Sequence, residues 1–127
     1  MSSFSFSDDL MKFAQKAEPG VVVRKVAMDV FKGVIMMTPV KSGRARGNWQ
    51  TTIGTPATEE LDTEDKNRGL VELGDVIDKH QGDDSIFLSN NVPYIEVLEN
   101  GNETHRPVGM VKVTLSEYPG IVEDAVK

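Results

Sequence analysis

The residues best able to make charged contacts lie in one short stretch between a helical and a strand-like pattern. Lys41, Arg44 and Arg46 are interleaved with Gly43 and Gly47. Glycine permits positive φ, so the chain can turn sharply and expose these cations. The forked donors of arginine can hold a carboxylate bidentately, and both cation types bind phosphate. Two interpretations stay open: a solvated connector, or a contact loop for a partner protein or nucleic acid.

No arrangement of residues typical of an enzyme is recognisable. His80 and His105 each lack a second histidine four residues away, so a helix-borne zinc pair is absent. No nucleophile-elbow sequence frames a serine, and the glycines at 43 and 47 match neither phosphate-loop fingerprint. The acidic run at 59–65 lacks calcium-loop spacing and is typical of a solvated face. We predict a non-enzymatic protein without metal or cofactor; a hydrolase has only scattered Ser, His and Asp in its favour.

Composition narrows the class of protein further. The chain has 127 residues, which suits one domain, and no cysteine, which removes disulfides and thiol chemistry and fits a reducing cytoplasm. Its 20 acidic and 14 basic residues give a net charge of −6, so general attraction to nucleic acid is not expected. We find neither an apolar run long enough to cross a membrane nor the pattern of a secretory signal. We expect no membrane partner.

Periodicity places helices at the beginning of the chain. Residues 1–37 are predicted to be helical, with a short helix from about residue 7 to 18 and a second over Pro19–Met37. Pro39 ends the second helix, because proline cannot sit in a helix interior. Met28, Met36 and Met37 widen its apolar surface, which either packs within the domain or is buried by another subunit. Its main apolar stripe comprises Val23, Val26, Ala27, Val30, Phe31, Val34 and Ile35.

The remainder of the chain alternates strand-like and helical patterns. Strands are predicted over residues 48–54 and 85–90. Residues 55–68 are polar and acidic, and we predict a mobile loop that becomes ordered on assembly. Further helices are predicted over about 69–80, after Pro93 and after Pro107. The last keeps its phase through Pro119, so either one helix kinks there or two short helices abut.

Three short motifs, taken together, resemble a known family. They are Thr38-Pro39-Val40, Ser42-Gly43-Arg44, Arg46 and Asn48-Trp49 in the first; Asn91-Val92-Pro93-Tyr94, Leu98-Glu99 and Gly101 in the second; and Pro107-Val108-Gly109-Met110-Val111 in the third. In this order and spacing they resemble the tail-completion and head–tail joining proteins of long-tailed bacteriophages, the group like phage lambda's minor tail protein Z. The resemblance covers about residues 38–126.

The resemblance implies a fold and a place of action. The fold would be α+β, with long N-terminal and C-terminal helices packed on a small antiparallel sheet. The protein would be a non-catalytic component of the virion neck, assembled in the bacterial host cytoplasm. It would form a homo-oligomeric ring, although the isolated protein could be monomeric. Its partners would be the tail terminator or tube and the head-closure or connector proteins, and DNA would only pass through the channel. An acidic surface there would repel phosphate and let DNA slide.

The resemblance also assigns roles to single residues. Lys41, Arg44 and Arg46 would contact an acidic neighbour, with Arg44 holding its carboxylate. Met36 and Met37 are added as contact candidates because they widen the apolar surface of the second helix. The structural positions are Pro39, Gly43, Trp49, Pro93, Tyr94, Glu99, Gly101, Pro107 and Gly109. Among these, Trp49 and Tyr94 would anchor the sheet and short helix, Pro93 and Gly101 would limit that helix, and Gly109 would allow close backbone approach.

One alternative from another functional class remains. The turn at 41–46 could serve a small nucleic-acid-binding module, which would show salt-dependent binding to DNA. The net acidity of the chain and its scarcity of aromatic residues for base stacking argue against it.

Overall fold

A computed structural model describes residues 2–5, 19–81 and 84–126. The helix expected at about 7–18 lies outside these residues. The described elements, in chain order, are β1 (Ser2–Ser5), α1 (Pro19–Met37), α2 (Arg44–Gly47), β2 (Gln50–Ile53), α3 (Arg68–Lys79), β3 (Ile86–Asn90), α4 (Ile95–Asn100), α5 (Met110–Ser116) and α6 (Tyr118–Val126). The chain is therefore a mixed helix and strand structure, as expected.

The described strands form one antiparallel sheet in the order β1-β3-β2. Leu88 of the central strand β3 lies opposite both Phe4 and Thr51. The prediction that residues 1–37 are helical is wrong for residues 2–5, which form β1. Phenylalanine alternates with serine at positions 4–6, a period of two that suits a strand, and β3 supplies the hydrogen-bonding edge.

The helix α1 is the element around which the core is built. Its bounds, Pro19–Met37, match the prediction. Its apolar stripe is buried against the sheet and the other helices, and these side chains form one cluster with Trp49, Leu73, Ile86, Leu88, Ile95 and Met110. Of the methionines that widen the stripe, Met28 and Met37 pack against this cluster, whereas Met36 stays 48% exposed.

Side chains of helix α3 form hydrogen bonds with backbone groups in and just before β2, on the edge that β3 does not pair with. Arg68 donates hydrogen bonds from Nε to the carbonyl of Gly47 and from Nη2 to that of Trp49, both at 2.6 Å. Glu72 Oε1 accepts one from the Thr51 amide at 2.9 Å. The two side chains also pair with each other at 3.0 Å, four residues apart on one helix face. One backbone group of the edge strand and two of the segment just before it are thereby satisfied.

Two short helices stand where a long C-terminal helix was expected. They have seven and nine residues and meet at Glu117. Pro119 falls in the first turn of α6, where its missing amide hydrogen costs no helical hydrogen bond. Of the two arrangements left open by the sequence, abutting helices are the one observed.

Candidate functional site

The basic turn, defined as residues 38–49, joins the end of α1 to the start of the sheet. Thr38 links the two ends of this turn. Its hydroxyl donates to the carbonyl of Val34 at 2.9 Å and accepts from Trp49 Nε1 at 2.7 Å. Trp49 and Thr38 are both fully buried. The two ends of the turn are therefore fastened to each other inside the core, and the predicted role of Trp49 as an anchor agrees with this burial.

Arg46 closes the C-terminus of α1. Its Nε donates to the Thr38 carbonyl at 3.0 Å and its Nη2 to the Met36 carbonyl at 2.9 Å. The last carbonyls of a helix lack partners within the helix, and a cation also suits the negative end of its dipole. The structure thus gives Arg46 a contact within the chain, whereas a contact with another subunit was expected.

Arg44 also binds within its own chain. Its Nε lies 2.8 Å from Glu60 Oε2, and its Nη1 lies 3.1 Å from Asp62 Oδ1. These hydrogen bonds, to Glu60 first and Asp62 second, raise the pKa of the guanidinium. The expected ability of Arg44 to hold carboxylates is realised, but the carboxylates belong to the acidic segment, residues 55–68. A contact with an acidic neighbour would have to displace them.

Residues 55–67 of the acidic segment form no helix or strand, as predicted, and lie directly against the basic turn, whereas Arg68 already belongs to α3. A Cβ at Gly43, which has φ +91°, would overlap the Glu64 carbonyl. A Cβ at Gly47 would overlap the Asp65 carbonyl. Gly43 therefore needs both positive φ and space. Gly47 is not among the residues with positive φ, so the conformational role expected for it is wrong and close approach is the reason for glycine.

Asn48 joins the same two stretches through its side-chain amide. Its Oδ1 accepts from the Leu61 amide at 2.7 Å, and its Nδ2 donates to the carbonyls of Arg44 and Leu61 at 2.9 and 3.1 Å. Asn48 is fully buried, and its side chain satisfies both the amide and the carbonyl of Leu61, which lies in irregular backbone.

The opposite side of the basic turn faces α4 across a groove of about 680 Å³. Asn90 fixes this side to the sheet, because its Nδ2 donates to the Ala45 carbonyl at 2.8 Å. Tyr94 is 41% exposed and lines the groove, so its predicted role as a core anchor is wrong. Ile95 takes the buried position instead. The groove is lined by Pro39, Lys41, Ser42, Gly43, Ala45, Tyr94, Val97, Leu98, Asn102 and His105.

The end of α4 is fastened to the start of α5. Gly101 follows α4 with φ +72°, and a Cβ there would lie 2.8 Å from Pro107 N, so glycine ends this helix as predicted. Pro93 is exposed and lies two residues before the helix begins. The carboxylate of Glu99 accepts from the amides of residues 111 and 112 at 2.9 and 3.0 Å, which caps α5.

Gly109 has a different role from the one expected. It has φ +69° at the start of α5, and a Cβ there would find its nearest neighbour, Val113 Cγ2, at 3.5 Å, an ordinary contact. Backbone conformation, not close approach, therefore requires glycine at this position.

Of the residues predicted to contact a partner, some have exposed side chains with no polar partner among the described residues, and others do not. Lys41 is exposed and has no hydrogen-bond or ion-pair partner among the described residues. Met36 is half exposed, and Met37 is partly buried with its sulfur 3.6 Å from the Thr114 hydroxyl. The structure brings Lys41 together with Tyr94 in the groove, whereas Arg44 and Arg46 point their donors elsewhere.

Sequence reasoning missed the polar side chains that hold this region together. Asn48, Asn90, Arg68 and Glu72 each satisfy backbone groups of another segment. One signal was available: Arg68 and Glu72 are four residues apart, and if the predicted helix begins one residue earlier, at 68, this spacing places both on one face. Nothing in that spacing identifies β2 as the edge they would cover.

The described residues offer no metal-binding cluster. No group of three or more histidine, cysteine, aspartate or glutamate side chains is placed to hold an ion in this part of the chain. His80 is buried with Nε2 2.7 Å from the Asp84 carbonyl, and His105 lies apart from it in the groove. Among the same residues, no helix has the length and apolar character needed to span a bilayer.

The first two motifs that carry the resemblance meet at the groove, because the first supplies the basic turn and the second supplies α4. The third begins at Pro107, which lies against Gly101 and outside the groove lining. Comparisons of the chain with protein-family models, with curated proteins and with solved structures give no match.

Proposed function

We propose that this protein is a structural component of a long-tailed bacteriophage virion, acting at the neck in tail completion and in joining the tail to the head. It works through contacts with neighbouring proteins and carries out no chemical step. Its partners are the tail terminator or tube and the head-closure or connector proteins, and it takes its place as a homo-oligomeric ring around the DNA channel.

The convergence of the motifs supports this proposal most strongly. Stretches separated by about half of the chain meet at one groove, where Pro39 and Gly43 of the first motif lie opposite Tyr94 and Leu98 of the second. Sequence similarity confined to a buried core would reflect the fold alone. Here several of the matching residues are exposed side chains on one side of the molecule, as a surface for binding a neighbour requires.

The geometry weighs against the nucleic-acid-binding alternative. Two of the three cations of the basic turn are engaged: Arg44 with Glu60 and Asp62, and Arg46 with carbonyls of α1. Lys41 is the cation of this turn left to meet phosphate, and the chain as a whole carries a charge of −6. Affinity for DNA grows with the number of phosphates neutralised, so one lysine gives a weak site.

Deletion of the gene from the phage that carries it tests the proposal. Electron microscopy of the lysate should show filled heads and finished tails that are not joined, and purified protein added to that lysate should restore infectivity. Joined and infectious particles from the deletion strain would overturn the proposed function. Turnover of a substrate by the isolated protein would contradict its non-catalytic character.

A further inference from the structure

We infer that the groove between the basic turn and α4 binds an extended peptide segment of a different protein, in which a carboxylate stands beside a large apolar side chain. The inference rests on the proposed function only for its identification of that protein as another virion component. The chemistry of the bound segment follows from the groove itself.

The floor of the groove is apolar. Ala45, Val97 and Leu98 line it, with the exposed ring of Tyr94 at one side. A volume of about 680 Å³ lies within the range of sites that enclose small ligands or a few side chains. An apolar side chain bound there would be removed from water and would pack on Leu98, which itself packs against the core. Burial of apolar surface favours binding.

The rim of the groove offers hydrogen-bond donors and no carboxylate. Lys41 has no partner among the described residues, and the hydroxyl of Ser42 is engaged only as an acceptor, from the Arg44 amide. Asn102 uses its Oδ1 to accept from the residue 104 and 105 amides, which leaves its Nδ2 hydrogens available. The ring of His105 also lies here.

Charge identifies the kind of segment that fits. The chain has 20 acidic residues, yet none of the residues lining the groove is acidic, and one of them, Lys41, has no ion-pair partner in the part of the chain that the structure describes. A carboxylate on the bound segment would receive charge-assisted hydrogen bonds from Lys41 and its donor-bearing neighbours. A basic segment would gain nothing there and would meet the same lysine unfavourably.

A second copy of this chain is a poorer source of such a segment. Within the described residues, the extended acidic stretch is 55–68, and it already lies against its own basic turn. Its Glu60 and Asp62 pair with Arg44 of the same chain, and its Leu61 is held through both backbone groups by Asn48. These contacts would have to break before the segment could enter the groove of a neighbour.

Selection from a random-peptide display library, followed by binding measurements on the purified full chain, tests the inference. Selected peptides should share an aspartate or glutamate next to leucine, phenylalanine or tryptophan. By fluorescence anisotropy, Lys41→Glu should weaken binding about tenfold or more, because it removes a charge-assisted hydrogen bond. Tyr94→Ala should also weaken it. The matched controls Lys32→Glu on α1 and Val71→Ala on α3, both exposed and outside the groove, should leave binding unchanged.

A double-mutant cycle adds a readout that loss of folding would not produce. Replacing the peptide carboxylate by its amide should weaken binding to the wild type but add little to the loss caused by Lys41→Met, which removes the cation without adding a repulsive charge. Absence of selected peptides, selection of peptides without an acid, or equal losses in the control variants would overturn the inference. So would self-association, seen by sedimentation, that Lys41→Glu abolishes, because a second copy would then occupy the groove.

Failure of the groove and failure of the proposed function give different results. If the deletion phage makes unjoined heads and tails but no peptide binds, the function stands and the groove inference falls. If peptides bind through Lys41 but deletion leaves particles whole and infectious, the groove binds a segment in another setting and the virion role falls.

Discussion

The two faces of the basic turn use their polar groups in different ways. On the face toward the acidic segment, Arg44 and Asn48 spend their hydrogen-bonding groups on residues 60–62 of the same chain. On the face toward α4, Lys41 has no described partner and Tyr94 is 41% exposed. Cations that look equivalent in the sequence thus divide into structural and available groups, and the division follows from what packs beside them. The first face should govern stability and the second should govern binding.

The largest contrast should come from Trp49, which is buried in the core at the end of the basic turn, and Tyr94, which lies on the face toward α4. Trp49→Ala removes a fully buried side chain and its hydrogen bond to Thr38, and should lower the free energy of unfolding by about 3–5 kcal/mol. Tyr94→Ala should cost less than about 1 kcal/mol, because the ring is 41% exposed. Urea unfolding followed by circular dichroism measures both. Equal losses would show that the division between the two faces is mistaken.

Alanine substitutions at three glycines distinguish the cost of a positive φ from the cost of a steric overlap. Gly54 has φ +90° with open space around it, so Gly54→Ala should cost about 1–2 kcal/mol from backbone conformation alone. Gly43→Ala should cost more, because it adds an overlap with the Glu64 carbonyl to a φ of +91°. Gly47→Ala tests the overlap without positive φ, since Gly47 has none. The same unfolding assay applies, and a Gly43→Ala loss no larger than that of Gly54→Ala would mean that the acidic segment moves away freely.

Arg68, at the start of α3, and Arg44, in the basic turn, should differ in their effect on stability. Arg68→Ala leaves the carbonyls of Gly47 and Trp49 without its hydrogen bonds and Glu72 without its cation, and should cost about 1–3 kcal/mol. Arg44→Ala should cost little, because its ion pairs are exposed to solvent and Asp62 is fully accessible. Thermal unfolding of both variants beside Arg68→Lys, which keeps the charge without the fork, distinguishes charge from geometry. A loss at Arg44 that matches the loss at Arg68 would contradict the assignment.

The smallest effect concerns motion within the acidic segment. We predict fast hydrogen exchange at residues 55–60 of the free protein, with slower exchange at Leu61, whose amide bonds to Asn48. Asn48→Ala should remove that local protection while the α1 amides keep theirs. Strong protection across the whole segment would contradict the prediction that it is mobile before assembly.

Much of the fold could be predicted because the relevant signals are local. The apolar spacing of α1 and the proline at 39 gave its bounds, and alternation within 85–90 indicated β3. The strand at 2–5 was missed because its stability depends on pairing with β3, more than 80 positions away. The same limit applied to Tyr94, since an aromatic residue beside a helix start gives no indication of which side of that helix the core occupies.

The candidate site was predictable as a stretch but not as a surface. Periodicity and glycine spacing identified the basic turn, yet they could not divide its cations between an internal and an external role. Arg44 and Lys41 have the same charge and both lie in a turn, and their distinction depends on where residues 60–62 pass.

Sequence alone determined the bounds of α1, the strand pattern at 85–90, the net charge of −6, the absence of cysteine and the position of the basic turn. Composition fixes the charge and the lack of cysteine. The other features follow from apolar periodicity and turn residues, which involve positions close to one another in the chain. Tertiary structure alone decided that the acidic segment binds the polar side chains on one face of the basic turn, and that α4 forms a groove with the other face. Those features depend on contacts between distant segments, which the core of α1 and the sheet brings together.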